Sequence, residues 1–243
     1  MNQNYHTDIE NIEKAVIKVC NLIEAEENYK IDWKYYPEKQ LWFELVSCIL
    51  GSRVRFETAK ACTHHLKKLG LLNLSNILKN PRKIENKMKK ELRKPIYPPL
   101  VGKIGNKYRF PNSRSTHIIK TAIEIYTNSG TTIKNILRKH QNSREARDIL
   151  IKKCYGIGPK QASLFLRNIS FCNSLAILDS HVIRYMESLK LKENIPFYNG
   201  NKNNYLKQEN ILSEYAKMKK KSLAALDLAI WVVMSLIQKE SIA

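Results

Sequence analysis

The chain has 243 residues, enough for one or two compact units with a real core, and its 43% hydrophobic and 26% charged residues are ordinary for a globular protein. Eight glycines and eight prolines exclude a collagen-like or low-complexity chain, and no apolar run approaches the ~20 residues that span a bilayer. The charge is more informative: 42 Lys and Arg against 22 Asp and Glu, a formal +20, points to a polyanionic partner, with nucleic acid ahead of a membrane surface.

That charge is unevenly spread. Residues 1–30 carry six acids against three lysines, whereas residues 53–120 carry 18 Lys or Arg against three Glu. The polar, acidic opening MNQNYHTDIENIEK does not read as a secretory leader. Apolar residues then recur at three- and four-residue spacing, the helix signature. Leu41, Leu45, Cys48 and Ile49 mark one helix; Thr58, Cys62, His65, Leu66 and Leu69 mark a weaker one that stops at Gly70. Residues 95–111, PIYPPLVGKIGNKYRFP, hold four prolines and two glycines and cannot be one helix. Ile118, Ile119, Ala122, Ile123 and Tyr126 resume the pattern up to Asn128-Ser129-Gly130. Ile149, Leu150 and Cys154 follow, then Ala162, Phe165 and Leu166, then Val182, Ile183, Met186 and Leu189. Residues 196–204, PFYNGNKNN, read as a surface loop, and Leu223, Leu226, Ile230, Val233, Met234 and Ile237 mark the last helix. Period-two runs are scarce, so the fold class is all-α, one compact helical unit with two lobes.

The five cysteines (Cys20, Cys48, Cys62, Cys154, Cys172) are scattered and form no CxxC pair. They read as reduced, mostly buried thiols of a cytoplasmic protein, with no zinc or iron–sulfur site expected. The six histidines form no HxxxH or HExxH pattern, and no metal or cofactor is expected.

The most specific feature is Tyr155-Gly156-Ile157-Gly158-Pro159-Lys160, set between amphipathic stretches at about 144–153 and 160–169. Two glycines permit a tight turn with positive φ, and Pro159 suits the first position of a helix. The next helix then starts with unpaired N–H groups and a positive dipole end, a phosphate-binding geometry. On the residues alone, the same pattern also fits an ordinary turn between packed helices. Nineteen residues on, the apolar run Leu175-Ala176-Ile177-Leu178 leads into Asp179, an N-cap for the helix from Ser180. The sharper reading makes Asp179 a carboxylate at the mouth of a cleft, facing Lys160.

GIGPKQASLFLRN followed by LAILDSHVIRYM resembles the signature of the helix-hairpin-helix DNA glycosylase superfamily. Lys160, directly after the hairpin, is similar to the lysine of its bifunctional glycosylase/lyase branch. Within that branch the chain looks most like the type 2, archaeal-type 8-oxoguanine DNA glycosylases, over about residues 38–239. The resemblance implies a two-lobed helical fold with the active-site cleft between a lobe at about 53–170 and a second made of about 1–52 and 171–243. It implies base-excision repair of double-stranded DNA carrying a damaged base, most simply 8-oxoguanine, by a monomer working at the nucleoid with no membrane association. Lys160 would be the nucleophile and Schiff-base former. An amine must be neutral when it attacks, which needs desolvation, a neighbouring charge or a base to take its proton. Asp179 would stabilise the developing oxocarbenium charge. The amides of Gly156 and Gly158 would hold phosphate beside Lys160. Arg53 would meet DNA where the flipped base leaves a gap, a place where relatives often carry Gln or Asn, and Arg55 would bind DNA beside it; a solvated basic turn is the plainer alternative for both. In LAALDLAIWV, Asp227 and Trp231 lie four apart on one helix face and would line the base pocket, Trp231 stacking on the purine and Asp227 accepting from a guanine edge. Core packing and a first-turn charge are the plain alternatives for that pair. Relatives often end soon after this helix in a base-binding lysine; here Lys239 stands in, followed by four more residues. The rival functions are a glycosylase for another modified base, a non-catalytic helix-hairpin-helix duplex binder and, with no RNA-module motif in its favour, an RNA-binding protein.

Overall fold

The computed structural model describes residues 2–26, 31–96, 106–127, 131–191 and 201–240, and it is helical almost throughout. The chain divides into two compact units, residues 32–169 and residues 1–31 with 170–243.

The 32–169 unit is built around α2 (Glu38–Leu50), whose Leu41, Leu45, Val46, Ile49 and Leu50 have no solvent exposure. Burial of each such side chain contributes about 1.5–3 kcal/mol. Around α2 pack α3 (Phe56–Lys68), α6 (Pro111–Tyr126), α7 (Ile133–Lys139) and α9 (Pro159–Asn168), while α8 (Ser143–Lys153) packs on α9. The short α4 (Leu74–Lys79) and α5 (Pro81–Leu92) lean on α6. Polar groups fix the register. Trp42 Nε1 donates to the Leu72 carbonyl at 3.0 Å. The Glu38 carboxylate accepts from Tyr126 Oη at 2.7 Å and from the Ile133 amide at 2.8 Å, capping the first turn of α7 from another helix.

The other unit gathers α1 (Asn2–Glu26), α10 (Ser180–Ser188) and α11 (Lys202–Met218) on α12 (Leu223–Glu240). Val16, Cys20, Val182, Ile183, Met186, Tyr205, Leu212, Leu226 and Ile230 share its core. Glu24 ties α1 to the turn before α12, accepting from the Ser222 amide at 2.7 Å and from Lys221 at 2.9 Å. Burial raises the pKa of this carboxyl, but the Ser222 amide and Lys221 outweigh it and hold it below the usual carboxylate value.

The expected stripes lie on α2, α3, α6, α8, α9, α10 and α12. Four of the five cysteines are buried, and none of the five forms a disulfide among the described residues. Burial pushes the Cys62 and Cys154 thiols up to about 12. Four differences have physical causes. The expected lobe boundary near residue 52 falls instead at 31/32, because α2 buries its apolar face on α3, α6, α7 and α9. The Pro-rich segment carries a two-residue antiparallel ladder, Pro95 opposite Lys107 and Ile96 opposite Asn106, while residues 97–105 lie outside the described residues. The supposed 196–204 loop ends early: Asn201 caps α11 by accepting from the Asn203 amide at 2.9 Å, and residues 196–200 lie outside the described residues, as does the 128–130 stop. Leu69 and Ile123 sit at the margins of their stripes and are exposed. Among the described residues, no single helix is long and apolar enough to cross a membrane.

Candidate active site

Asn142 opens α8 by accepting from the amides of Arg144 and Glu145, and the helix runs to Lys153. The chain then turns through Cys154–Gly158 and enters α9 with Pro159 at its first turn. Only one of the two glycines uses the left-handed region: Gly156 has φ +78°, whereas Gly158 is extended at φ −119° and serves as the α9 N-cap. A Cβ at Gly156 would land on the His117 ring and the Arg114 guanidinium. Gly156 is therefore required twice, by dihedral and by space. The Tyr155 amide is taken by Thr121 Oγ1 at 2.9 Å. The amides of Gly156 and Gly158 meet no acceptor among the described residues, while residues 155–156 form a turn that the buried Ile157 closes. Backbone donors left open beside a helix N-terminus are suited to a phosphate.

Arg114 braces this turn from α6. Its Nη1 donates to the Gly156 carbonyl at 3.1 Å and its Nη2 to the Ser52 carbonyl at 3.3 Å, while the guanidinium lies over the Phe110 ring. Nη1 also meets His117 Nδ1 at 3.1 Å, a contact that needs the imidazole neutral with its proton on Nε2. Burial first, then Arg114 and Lys120, lower the His117 pKa below 6.5 and keep the ring in that form. One buried arginine thus joins the hairpin turn to the 51–54 turn that carries Arg53. Arg53 is exposed with φ +62°, a conformation that costs a non-glycine residue about 1–2 kcal/mol, and Arg55, also exposed, is the α3 N-cap position.

Lys160 is the second residue of α9 and is partly buried. It has no hydrogen bond or ion pair among the described residues. It stands close enough to α2 for its charge to oppose the rise that burial and Glu44 impose on the Cys48 thiol. The far end of α9 is tied to α2 through Asn168 Nδ2, which donates to Glu44 Oε1 at 2.7 Å.

In the other unit Asp179 caps α10, its Oδ1 accepting from the amides of His181 at 2.9 Å and Val182 at 3.0 Å. Such a cap is worth about 1 kcal/mol. Both cap bonds fall on Oδ1, so Oδ2 stays outside the cap. His181 occupies the first helical turn, as its position in the sequence implies. The preceding residues Leu175–Leu178 are buried but belong to no helix or strand. Three side chains take their amides: Glu209 Oε1 accepts from Ala176 at 3.1 Å, Asp227 Oδ2 from Ile177 at 2.7 Å, and Tyr205 Oη from Leu178 at 3.4 Å. Leaving one such buried donor unpaired costs about 1–3 kcal/mol.

Asp227 is among the residues enclosed in this way. The first two turns of α12 are buried on nearly all sides, and Asp227 is 1% exposed with its Oδ2 on the Ile177 amide. Trp231 is where the helix emerges, at 36% exposure. Lys239 falls within α12, but its side chain lies outside the described residues. The sequence-named residues divide between the units: Arg53, Arg55, Gly156, Gly158 and Lys160 in one, Asp179, Asp227, Trp231 and Lys239 in the other. Sequence reasoning missed Arg114, Thr121, Tyr205 and Glu209. Of these only Glu209 left a trace, a carboxylate in the apolar register Tyr205–Leu212–Ala216 of α11.

Two helices joined by a tight glycine turn with open amides, then a lysine in the next first turn and an aspartate-capped helix, define the helix-hairpin-helix class of helical DNA-repair proteins. A family model described as 8-oxoguanine DNA glycosylase matches residues 23–221. The chain is 30% identical over 213 residues to an 8-oxoguanine DNA glycosylase/AP lyase of Sulfolobus acidocaldarius, covering 87% of this chain and 90% of that protein. A namesake from Fusobacterium nucleatum is 26% identical over 93% of this chain and 94% of its own. The crystal structure of the Methanocaldococcus jannaschii 8-oxoguanine DNA glycosylase matches with TM-score 0.69 at 25% identity, covering 94% of each chain. The chain belongs to the 8-oxoguanine DNA glycosylase family.

Proposed function

We propose that this protein is a bifunctional glycosylase/AP lyase that removes 8-oxoguanine from duplex DNA and then nicks the strand. The observation that carries the reading is the hairpin whose Gly156 and Gly158 amides are open, followed, within one turn, by a lysine amine that no carboxylate among the described residues holds. The shared name of its relatives supports the lesion and both activities. A base inside a duplex is beyond reach, so the nucleotide is extruded at a cost of a few kcal/mol. The hairpin amides grip the strand, Arg53 and Arg55 meet the duplex at the vacated position, and Trp231 stacks on the extruded purine. Neutralising roughly six phosphates gives an affinity that falls with salt at about −0.9 per contact in log–log form. The substrate places the protein at chromosomal DNA.

Lys160 Nζ, once deprotonated, attacks C1′ of the sugar; the bond from C1′ to the base breaks and the base leaves with its electron pair and takes up a proton. Asp179 stabilises the positive charge that develops on the sugar as that bond breaks. Opening of the sugar ring, with a proton to O4′, gives the C1′=Nζ Schiff base. Loss of a C2′ proton then expels the 3′ phosphate, which is β-elimination and the nick.

Borohydride trapping on a duplex with one 8-oxoguanine tests this reading. The wild-type protein is expected to form a covalent adduct, and Lys160→Gln to lose it while still binding the duplex. An adduct that persists in Lys160→Gln moves the nucleophile elsewhere. Salt-dependent binding with neither adduct nor nick leaves a duplex-binding protein, and nicking of other lesions in a panel but not of 8-oxoguanine reassigns the base.

A further inference from the structure

We propose that Asp227, helped by Glu209 and Tyr205, is a positioning residue for Asp179, holding its carboxylate in the orientation that base release needs. The inference rests on the catalytic reading of Asp179 given above.

A relay of contacts connects the two residues. Asp227 Oδ2 accepts from the Ile177 amide at 2.7 Å; the carbonyl of that same residue accepts from the Asp179 amide at 2.9 Å; and Asp179 Oδ1 accepts from the α10 amides. The Asp179 backbone is thereby held on both sides, from α12 through Ile177 and from α10 through the cap. The flanking amides are held as well, Ala176 by Glu209 and Leu178 by Tyr205, whose hydroxyl also donates to the Ala176 carbonyl at 2.7 Å. Asp227 and Glu209 are each 1% exposed. Burying two carboxylates among apolar side chains is a poor route to stability when a hydrophobic residue of similar volume would pack there. Their hydrogen bonds to an extended run, which no sheet supports, fix where that run goes. The run ends one residue before Asp179, so its placement is the carboxylate's placement.

A purely structural role would lower stability and leave the folded protein's chemistry alone. A positioning role splits the two reactions: charge stabilisation by Asp179 belongs to base release, whereas elimination at a ready-made abasic site starts after that step. The experiment compares wild type, Asp227→Ala, Asp227→Asn, Tyr205→Phe and Asp179→Asn well below each thermal midpoint. Single-turnover base release from an 8-oxoguanine duplex and nicking of a preformed abasic-site duplex are measured side by side, with duplex affinity. Asp227→Ala is expected to slow base release by about 100-fold, the scale of a ~1 Å misplacement, with abasic-site nicking and affinity changed less than about threefold. Asp227→Asn keeps an acceptor oxygen for the Ile177 amide and is expected to recover most of the rate. Tyr205→Phe, which keeps its ring in the core, is expected to show the same split in smaller degree and carries the test if Asp227→Ala does not fold. Equal loss in both reactions, or an unchanged base-release rate in folded Asp227→Ala or Tyr205→Phe, overturns the proposal. Asp179→Asn with wild-type base release overturns instead the reading beneath it, and is told apart because it leaves Asp227 untouched.

Discussion

Two short irregular segments, Cys154–Gly158 and Leu175–Leu178, face the same problem and solve it in opposite ways. Each has backbone amides outside any helix or sheet. The hairpin leaves those of Gly156 and Gly158 open, while the 175–178 run is buried and hands the amides of Ala176, Ile177 and Leu178 to Glu209, Asp227 and Tyr205. Open amides can bind a ligand; satisfied buried ones can only hold position. The first segment is therefore suited to gripping phosphate and the second to presenting the residue that follows it.

The contrast is sharpest at Gly156. Gly156→Ala adds a left-handed penalty to a collision with Arg114 and His117, and about 2–4 kcal/mol of stability should be lost. Urea unfolding measures that loss, and duplex affinity should fall with it even under conditions where the variant stays folded. Glu209→Ala strands the buried Ala176 amide and should cost about 1–3 kcal/mol. Its duplex affinity should stay near wild type, and a parallel fall in binding would erase the distinction between the two segments. Gly158→Ser probes the other hairpin glycine, whose extended φ suits any residue; with a serine oxygen at an N-cap, stability should shift by no more than about 0.5 kcal/mol, in the stabilising direction.

The smallest effect concerns His117. Its pKa is lowered in the folded protein, so between that value and about 6.5 the unfolded chain binds more protons and stability rises with pH. Acidification from neutral through this window should therefore lower the unfolding midpoint, and His117→Gln should flatten that part of the profile. A midpoint that rises on acidification through the window in the wild type, relative to His117→Gln, contradicts the neutral imidazole.

Much of this was legible in the residues because it is local. Helix periodicity, the Pro159 start, the Asp179 cap and the Gly156 turn each depend on neighbours within a few positions, and the chain displays them directly. The chemical types were visible too: a lysine after the hairpin and a charged residue inside the apolar run of α12. Less was legible where a local sign has two tertiary outcomes. Asp227 and Trp231 share a face by spacing, yet the helix is enclosed at one residue and emerges at the other.

The sequence by itself determined which segments are helical, where the tight turn falls, that a lysine follows it and that an aspartate caps a later helix, since backbone sterics and short-range hydrogen bonds settle those matters. Only the tertiary structure decided what each polar group holds. Arg114 reaches carbonyls 42 and 62 residues away, and Asp227 takes an amide 50 residues earlier. Such pairings follow from the burial of whole helix faces, which brings distant donors and acceptors together and requires each to be satisfied, and no pattern along the chain announces which will meet.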